Sequence, residues 1–368
     1  MFDVFFEPSF GNRPRNLVGR DKYLRDFRDA LTTRTGSRER SVLIIGQRGY
    51  GKTVLLLEMA DIARESGYIV ASPTVTSSEM TERIIEKLQI EGEEHIKKSK
   101  TKITGGNISF LGFGAGIQVQ NKEEKTKSFA YRLSELCKEY GKKGYGILLL
   151  IDEVQANSEE LKQLIIAYQE IVGEGGNIAM VMAGLPSAIS TTLNERVLTF
   201  LNRARKVDLA PIDTREIYRY FRDVFAQAGI NLTDDQCRQA AVLTNGSPYL
   251  MQLVGHYIVK YSDEKGKLKP TDYEAALVDS QEDFINDIGK TTLKELSDRD
   301  VDFLRAMAVD DGDSSISAIA ERMNVSSAYA QLYKRRLVDA GVIEQPRRGI
   351  VRITIAFLKE YLRDHPER

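Results

Sequence analysis

The stretch GQRGYGKT, residues 46–53, decides the fold. It matches the pattern GxxxxGK followed by Ser or Thr, in which backbone N–H groups curl around phosphate oxygens and the lysine reaches the β- and γ-phosphates. The apolar run Ser41–Ile45 enters the loop, and a segment with helical apolar spacing leaves it. This strand, loop and helix context predicts an α/β core with a parallel sheet that binds a nucleoside triphosphate. The loop residues expected to contact the nucleotide are Gly46, Gln47, Arg48, Gly49, Tyr50, Gly51, Lys52, Thr53 and Val54.

A second apolar run, residues 147–151, ends in the acidic pair Asp152 and Glu153. A continuous apolar run is typical of a parallel strand that is buried on both faces. We expect Thr53 and Asp152 to hold a magnesium ion, and Glu153 to orient and polarise the attacking water. With Lys52, these acids are the predicted catalytic residues.

A third apolar strand, NIAMVMAG at residues 177–184, is followed by Leu185, Pro186 and Ser187. Ligands of open α/β sheets bind at the carboxyl ends of the strands, so we expect this turn to face the phosphates. Ser187 is the polar side chain that the turn offers.

Composition narrows the class of protein without identifying a partner. The 368 residues predict two or three domains, and 52 basic against 53 acidic residues give no overall charge that would favour nucleic acid or membranes. Cys137 and Cys237 are isolated, which argues against a disulfide framework or a zinc site and fits a reducing compartment. The sequence shows neither a basic leader nor an apolar stretch of roughly 18 residues, so we expect a soluble, cytoplasmic protein without a membrane partner.

Together, these motifs resemble the AAA+ P-loop ATPases, especially the branch of archaeal origin-recognition initiators and STAND-like archaeal ATPases. The stretch NLVGR at residues 16–20 looks like the family's N-terminal box. The resemblance implies that Val18 and Gly19 back the adenine and that Arg20 braces the loop. It also implies ATP or ADP and Mg²⁺ as cofactors, and a core over residues 1–207.

The resemblance extends to an arginine before the last core strand, which is expected at residues 206–209. In AAA+ assemblies such an arginine reaches a neighbouring subunit's γ-phosphate, where it can raise the rate by ~10³ or more. Arg203 is the candidate here and Arg205 the substitute, and a surface arginine in a salt bridge remains equally open.

The sequence pattern of residues 208–290 predicts a helical lid. Asp213 or Thr214 is expected to cap one helix, and the TDDQ stretch at Thr233 is a capping-box pattern. In the stretch NGSPYLMQLVG, at residues 245–255, the resemblance places nucleotide contacts at Pro248 and Tyr249. Many AAA+ proteins carry a sensor arginine at this turn, and this sequence has the GxP form of STAND-like relatives, which implies slow hydrolysis.

An insertion at residues 91–146 separates the second strand, residues 68–75, from the acidic one. Its alternating, glycine-rich stretch predicts a β-hairpin at residues 103–120 with an apolar tip. The tip could contact a partner or DNA, or pack on the lid.

From residue 291 onward, the pattern predicts helix, helix, turn, helix and a β-hairpin around PRRG, with Gly341 ending the third helix. This order resembles the winged helix-turn-helix family over residues 291–368. Residues 291–330 carry four basic and eight acidic side chains, whereas residues 331–363 carry eight basic and three acidic ones. We therefore expect binding to double-stranded DNA, although a protein-interaction role stays open. The side chains expected at bases are Ser326, Ser327, Tyr329, Gln331 and Tyr333, and those at phosphates are Lys334, Arg335, Arg347 and Arg348.

Together, these features favour an ATP-dependent switch that hydrolyses ATP slowly and binds DNA, of a replication-initiator or mobile-element type. A homo-oligomer or a protein partner is possible. One alternative is a STAND-type signalling or defence ATPase whose winged helix holds the protein closed or contacts proteins. Another is a transposition or partition accessory that polymerises on DNA and requires Arg203.

Overall fold

The computed structural model describes residues 5–9, 17–33, 36–103, 127–155 and 157–366. The hairpin predicted at residues 103–120 lies, from residue 104 onward, outside the described residues. Within the described ranges, no helix combines the length and the apolar character needed to cross a membrane.

The core is a five-stranded parallel sheet with the order β2-β3-β4-β1-β5. Its strands are β1 Ser41–Ile45, β2 Tyr68–Val75, β3 Gly146–Asp152, β4 Ile178–Gly184 and β5 Arg205–Asp208. All seven residues of β3 are buried, which explains its continuous apolar sequence. β5 begins one residue earlier than predicted. The order places β1 between β4 and β5, so the loop after β1 emerges at the carboxyl edge of the sheet beside the end of β4.

Helices cover both faces of the sheet and leave that edge open. The helices are α1 Asp21–Thr32, α2 Lys52–Glu65, α3 Met80–Ile103, α4 Phe129–Lys142, α5 Glu159–Gly173 and α6 Pro186–Asn194. The first two pack Phe27 and Leu55 against Ile44 of the sheet. On the opposite face, Leu133 and Leu164 belong to a second apolar cluster, which includes residues of α3 to α6.

Four helices form the lid: α7 Thr214–Gln227, α8 Asp234–Leu243, α9 Pro248–Tyr261 and α10 Pro270–Phe284. Both predicted caps are present, since the Asp213 carboxylate accepts from the Arg215 N–H and Thr233 forms a capping box with Gln236. The sequence analysis missed the role of the N-terminal segment. Phe6 is only 2% exposed and packs in the lid cluster. A Cβ atom at Gly255 would lie 2.1 Å from its ring, so α9 needs glycine there.

Residues 285–297, which we call the linker, follow the lid. They include a π-helical turn, Ile285–Gly289, and the short helix α11 Lys290–Lys294. The remaining elements are α12 Asp298–Ala308, β6 Ser314–Ser315, α13 Ile316–Arg322, α14 Ser327–Asp339, β7 Ile343–Arg347, β8 Ile350–Ile353 and α15 Leu358–Asp364. We call residues 298–364 the C-terminal unit. Its antiparallel sheet has the order β6-β8-β7. The three helices and the hairpin follow the predicted order, whereas β6 and α15 were not predicted. Its assignment as a winged helix remains an interpretation.

Candidate nucleotide site

The phosphate loop is shaped by two glycines in the left-handed region of backbone space. Gly49 has φ 76° and Gly51 has φ 79°, a conformation that side-chain-bearing residues rarely adopt. Lys52 begins α2, and its Nζ donates hydrogen bonds to the carbonyls of Gly46 at 3.0 Å and Gln47 at 2.9 Å. The loop therefore curls around the lysine, as a phosphate-binding loop requires.

Burial, aided by the charge of Arg48 and opposed by the carboxylate of Asp152, lowers the pKa of Lys52 to about 8. The ammonium is therefore still largely protonated at neutral pH. Among the described residues, only carbonyl oxygens accept its hydrogen bonds, and phosphate oxygens would be stronger, charged acceptors for it.

Thr53 and Asp152 meet at the point where α2 begins and β3 ends. The Thr53 hydroxyl donates to Asp152 Oδ2 at 2.6 Å, and the Glu153 N–H donates to Asp152 Oδ1 at 2.9 Å. Asp152 is 6% exposed. Within the described ranges, no group of three or more His, Cys, Asp or Glu side chains could hold a metal ion. A hydroxyl beside one carboxylate fits Mg²⁺, which keeps waters and binds through few carboxylates together with substrate phosphates.

Glu153 follows β3 with φ 49°, in the left-handed region, and its side chain is exposed. A residue other than glycine costs about 1–3 kcal/mol in such a conformation, and strain of this kind concentrates at functional sites. The next residue is held in place, because the Val154 N–H donates to the carbonyl of Ala183 in β4 at 2.9 Å. The backbone thus places an exposed carboxylate directly after the buried one.

The N-terminal box lies beside the segment that joins β5 of the core to α7 of the lid. Arg20 is 7% exposed, and its Nη2 donates to the carbonyl of Ala210 at 2.9 Å. Burial lowers its pKa, which the neighbouring Glu216 partly offsets. The described hydrogen bond of Arg20 thus holds the segment between β5 and α7, and its predicted role in bracing the phosphate loop stays a prediction. Val18 packs against the lid cluster, and Gly19 has φ 72°.

The lid turn packs directly over the loop. A Cβ atom at Gly51 would lie 3.8 Å from Pro248, and one at Gly49 would lie 3.9 Å from Tyr249 Cβ. The predicted proximity of Pro248 and Tyr249 to the nucleotide site is thus seen in the geometry, although their contact with a nucleotide stays a prediction. The Tyr249 hydroxyl donates to Asp287 Oδ2 in the linker at 2.6 Å. Burial and this carboxylate raise the pKa of Tyr249.

A shallow cleft lies where the loop, the lid, the linker and the C-terminal unit meet. Its walls are Gln47, Arg48, Tyr50, Asn245, Ser247, Phe284, Ile288, Thr354, Ile355 and Ala356. The last three belong to the C-terminal unit, which therefore closes one side of the cleft.

The C-terminal unit and the linker contact the loop and its surroundings at three points. Arg48 forms an ion pair with Glu295 of the linker at 2.5 Å. Gly341, with φ 68°, lies against Gln47, whose Oε1 a Cβ atom would meet at 2.0 Å. The Ser187 hydroxyl donates to the carbonyl of Asp339. The Ser187 hydroxyl is thus engaged by the end of α14, and the prediction that this turn faces the phosphates stays a prediction.

The sequence analysis missed these contacts. The sequence around Glu295 does not indicate an ion pair with the phosphate loop, since a single acidic residue near a short helix is common. Gly341 was recognised as the end of a helix, and its left-handed φ confirms that. Its second role, leaving room for Gln47, depends on how two distant segments pack.

The two arginines expected near a neighbouring subunit lie before and within β5. Arg203 ends the 3-10 segment Arg196–Arg203, and its side chain is exposed. Among the described residues, the side chain of Arg203 forms no hydrogen bond or ion pair. Arg205 is half-buried and pairs in register with Val42 of β1. A role as an arginine finger stays a prediction.

Fewer of the predicted DNA-binding residues are exposed and unpaired than the number of basic residues in this segment suggests. The exposed residues are Ser326, Ser327, Tyr329, Gln331, Arg335, Arg347 and Arg348. Lys334 is half-buried and donates to Gln345 Oε1 at 2.9 Å. Tyr333 is 6% exposed and packs in the core of the unit, so the prediction that it faces a groove is wrong.

Several basic residues of the C-terminal unit are neutralised inside it. Arg336 binds the buried Asp300 at 2.7 Å, and Arg352 binds Asp313 at 2.7 Å. Arg363 forms a third pair, with Asp311 at 2.9 Å. Among the described side chains, Arg335, Arg347 and Arg348 form no such pair. These three are the guanidinium groups that are left for an external partner.

Comparison with known proteins supports the fold. Residues 16–181 match the family model of the AAA ATPase domain, and residues 288–362 match a domain of unknown function, DUF8462. No curated protein matches the chain.

Several solved structures share the fold. A Walker-type ATPase of Pyrococcus abyssi is 17% identical with a TM-score of 0.67, over 98% of this chain and 100% of that chain. The ORC2 protein of Aeropyrum pernix, in ADPNP–ADP complexes, is 15% identical with a TM-score of 0.65, over 97% and 96%. CDC6P of Pyrobaculum aerophilum is 15% identical with a TM-score of 0.50, over 98% of both chains. The chain therefore has the P-loop AAA+ fold and, with its AAA ATPase domain, is an ATPase.

Proposed function

We propose that the chain is a magnesium- and ATP-dependent switch that binds double-stranded DNA through its C-terminal unit. The observation that carries the proposal is the position of the phosphate loop. On one side of the loop, Lys52 bonds to the carbonyls of Gly46 and Gln47, and Thr53 bonds to Asp152. On the other side, Gln47 and Arg48 touch Gly341 and Glu295. Gln47 thus contacts the phosphate-binding lysine through its carbonyl and the C-terminal unit through its side chain.

On the inner side, Lys52 would bind the β- and γ-phosphates, while Thr53 and Asp152 would hold magnesium, which supplies charge stabilisation of the terminal phosphate. Glu153 would accept a proton from the attacking water. Pro248 and Tyr249 would cover the nucleotide from the lid. Since the lid turn offers no arginine at residues 246–249, we propose that hydrolysis is slow and that the bound state lasts.

The switch requires two arrangements of the C-terminal unit with different affinities for nucleotide. The closed arrangement is the one described above, in which the unit walls the cleft. In the open arrangement, the unit is free to take the angle that DNA binding requires. We propose that core, lid and winged helix correspond to residues 1–207, 208–290 and 291–368.

The proposed DNA surface consists of the exposed face of α14 and the turn of the β7–β8 hairpin. Ser327, Tyr329 and Gln331 could reach base edges from a helix in the major groove. Arg335, Arg347 and Arg348 would contact phosphates, because each has a free guanidinium among the described side chains. Lys334 can join them after releasing Gln345.

One observation favours a second function. The end of α14 rests on the core at Ser187, and six arginines of the unit, including Arg336 and Arg352, are already paired with acids. This supports an ATPase of the STAND type, in which the unit holds the protein closed and binds proteins. Assembly with a second copy through the exposed Arg203 is compatible with either function.

Duplex binding separates the two functions. We expect Arg347→Ala/Arg348→Ala to weaken binding to a duplex, with a salt slope that falls by about one per lost phosphate contact. The matched control is Arg215→Ala/Arg222→Ala, which removes two exposed lid arginines that pair with nearby acids. Affinity and salt slope are measured with and without a non-hydrolysable ATP analogue. If the wing variant leaves both unchanged, the DNA function fails and the closed ATPase is favoured.

A further inference from the structure

We infer that Arg48 discriminates ATP from ADP: its guanidinium exchanges the carboxylate of Glu295 for the terminal phosphate, and this exchange releases the C-terminal unit. The inference rests on the proposed switch and names the side chain through which the nucleotide controls it. The class of ligand is therefore a nucleoside triphosphate, as opposed to a diphosphate.

The position of Arg48 in the loop supports the exchange. Lys52 Nζ lies against the carbonyls of Gly46 and Gln47, the two residues immediately before Arg48. A loop lysine reaches the β- and γ-phosphates, so the outermost phosphate is expected at the side of the loop where Arg48 begins. Arg48 also lines the cleft beside the loop. Its side chain can thus point either to the phosphates or to the linker.

The strengths of the two partners favour the exchange. The side chain of Arg48 is 37% exposed and that of Glu295 is 54% exposed. Exposed ion pairs are weak, since water screens them and two long side chains must be ordered. Phosphate offers several charged oxygens to the fork of a guanidinium, which suits bidentate binding. Arg48 would therefore leave Glu295 for a phosphate within its reach.

The contact beside the ion pair adds packing and little polar attachment. At the neighbouring position, Gln47 Oε1 is buried and has no hydrogen-bond partner among the described residues. The contact between Gln47 and Gly341 is thus one of close packing and contributes no hydrogen bond from this oxygen. Glu295 itself lies three residues before α12 begins. Release of Glu295 would free the linker directly at the start of the C-terminal unit.

The test compares nucleotide affinities of two single variants with the native chain. Arg48→Gln should weaken binding of a non-hydrolysable ATP analogue about tenfold, the effect of losing one charge-assisted interaction, and change ADP binding less than twofold. Glu295→Gln should strengthen binding of the ATP analogue several-fold, because Arg48 then has no competing partner, and leave ADP binding within twofold. Arg28→Gln and Glu65→Gln, which break an ion pair on the core that is somewhat more exposed, should change neither affinity.

Two results would overturn the inference. One is an Arg48→Gln variant that loses ATP analogue and ADP affinity equally, since the guanidinium would then not recognise the terminal phosphate. The other is a Glu295→Gln variant with unchanged or weaker affinity for the ATP analogue. Duplex binding by the same proteins tests the proposed function separately. If the ratio of affinities shifts as expected but no variant or native chain binds DNA, the DNA function fails and the role of Arg48 stands.

Discussion

The two sides of the phosphate loop differ in how they are built. On the inner side, Lys52 and Thr53 contact the loop's own carbonyls and the end of β3, all within the sheet core. On the outer side, Gln47 and Arg48 contact residues of the linker and the C-terminal unit. The motif constrains the inner positions, and leaves the outer ones variable. The comparison teaches that one loop can bind phosphate through its fixed positions and control conformation through its variable ones.

The largest expected effect belongs to the inner side. Glu153→Gln removes the carboxylate that would accept the proton of water, so we expect the hydrolysis rate to fall by roughly 10²–10⁴. Nucleotide affinity should stay within a few-fold, because the amide keeps the size of the side chain. Single-turnover hydrolysis and equilibrium binding give the two values.

The control for this change is the outer side of the loop. The distance between core and C-terminal unit should respond to the ATP analogue in Glu153→Gln as it does in the native chain. An unchanged rate would show that Glu153 is not the base. A lost conformational response would show that the two sides of the loop are not separable.

The inner side could be predicted from the sequence because its determinants are local. The loop, the buried strand before Asp152 and the caps at Asp213 and Thr233 each depend on residues a few positions apart. Periodicity and motif spacing report such determinants directly. The strand β2 was predicted with the bounds that the structure has.

The outer side could not be predicted, because it depends on packing between distant segments. Phe6 packs in the lid and Gly341 lies against Gln47, and in neither case does the local sequence pattern indicate the partner. The number of basic residues in the C-terminal segment overestimated the basic charge available to a partner, for a related reason. The acids that neutralise Arg336 and Arg352 lie 36 and 39 residues away in the sequence, so a count over one segment overstated the free charge.

A smaller effect is expected when a contact on the outer side of the loop is changed. Gly341→Ala places a methyl group where Gln47 Oε1 lies, so Gln47 must turn away or the C-terminal unit must shift. Because the glutamine side chain can adjust, we expect only a several-fold shift toward the open arrangement. Small-angle scattering of the nucleotide-free protein measures this shift.

The hairpin turn offers a matched control for this change. Gly349 has φ 77°, similar to Gly341, but no atom lies within 4 Å of a Cβ there. Gly349→Ala should therefore cost about 1 kcal/mol of backbone strain without opening the protein. Gln47→Ala/Gly341→Ala removes the clash and should restore the closed arrangement. If Gly349→Ala opens the protein as much as Gly341→Ala, strain explains the effect and the contact with Gln47 does not.

The distance between the core and the C-terminal unit tests the central claim most directly. Fluorescent labels at the exposed positions Lys142 and Glu360 would report it by energy transfer in the full chain. The account predicts one distance without nucleotide and with ADP, and a different distance with a non-hydrolysable ATP analogue and magnesium. The same distance in all three states, with the analogue shown to be bound, would contradict the claim that the phosphate loop controls the C-terminal unit.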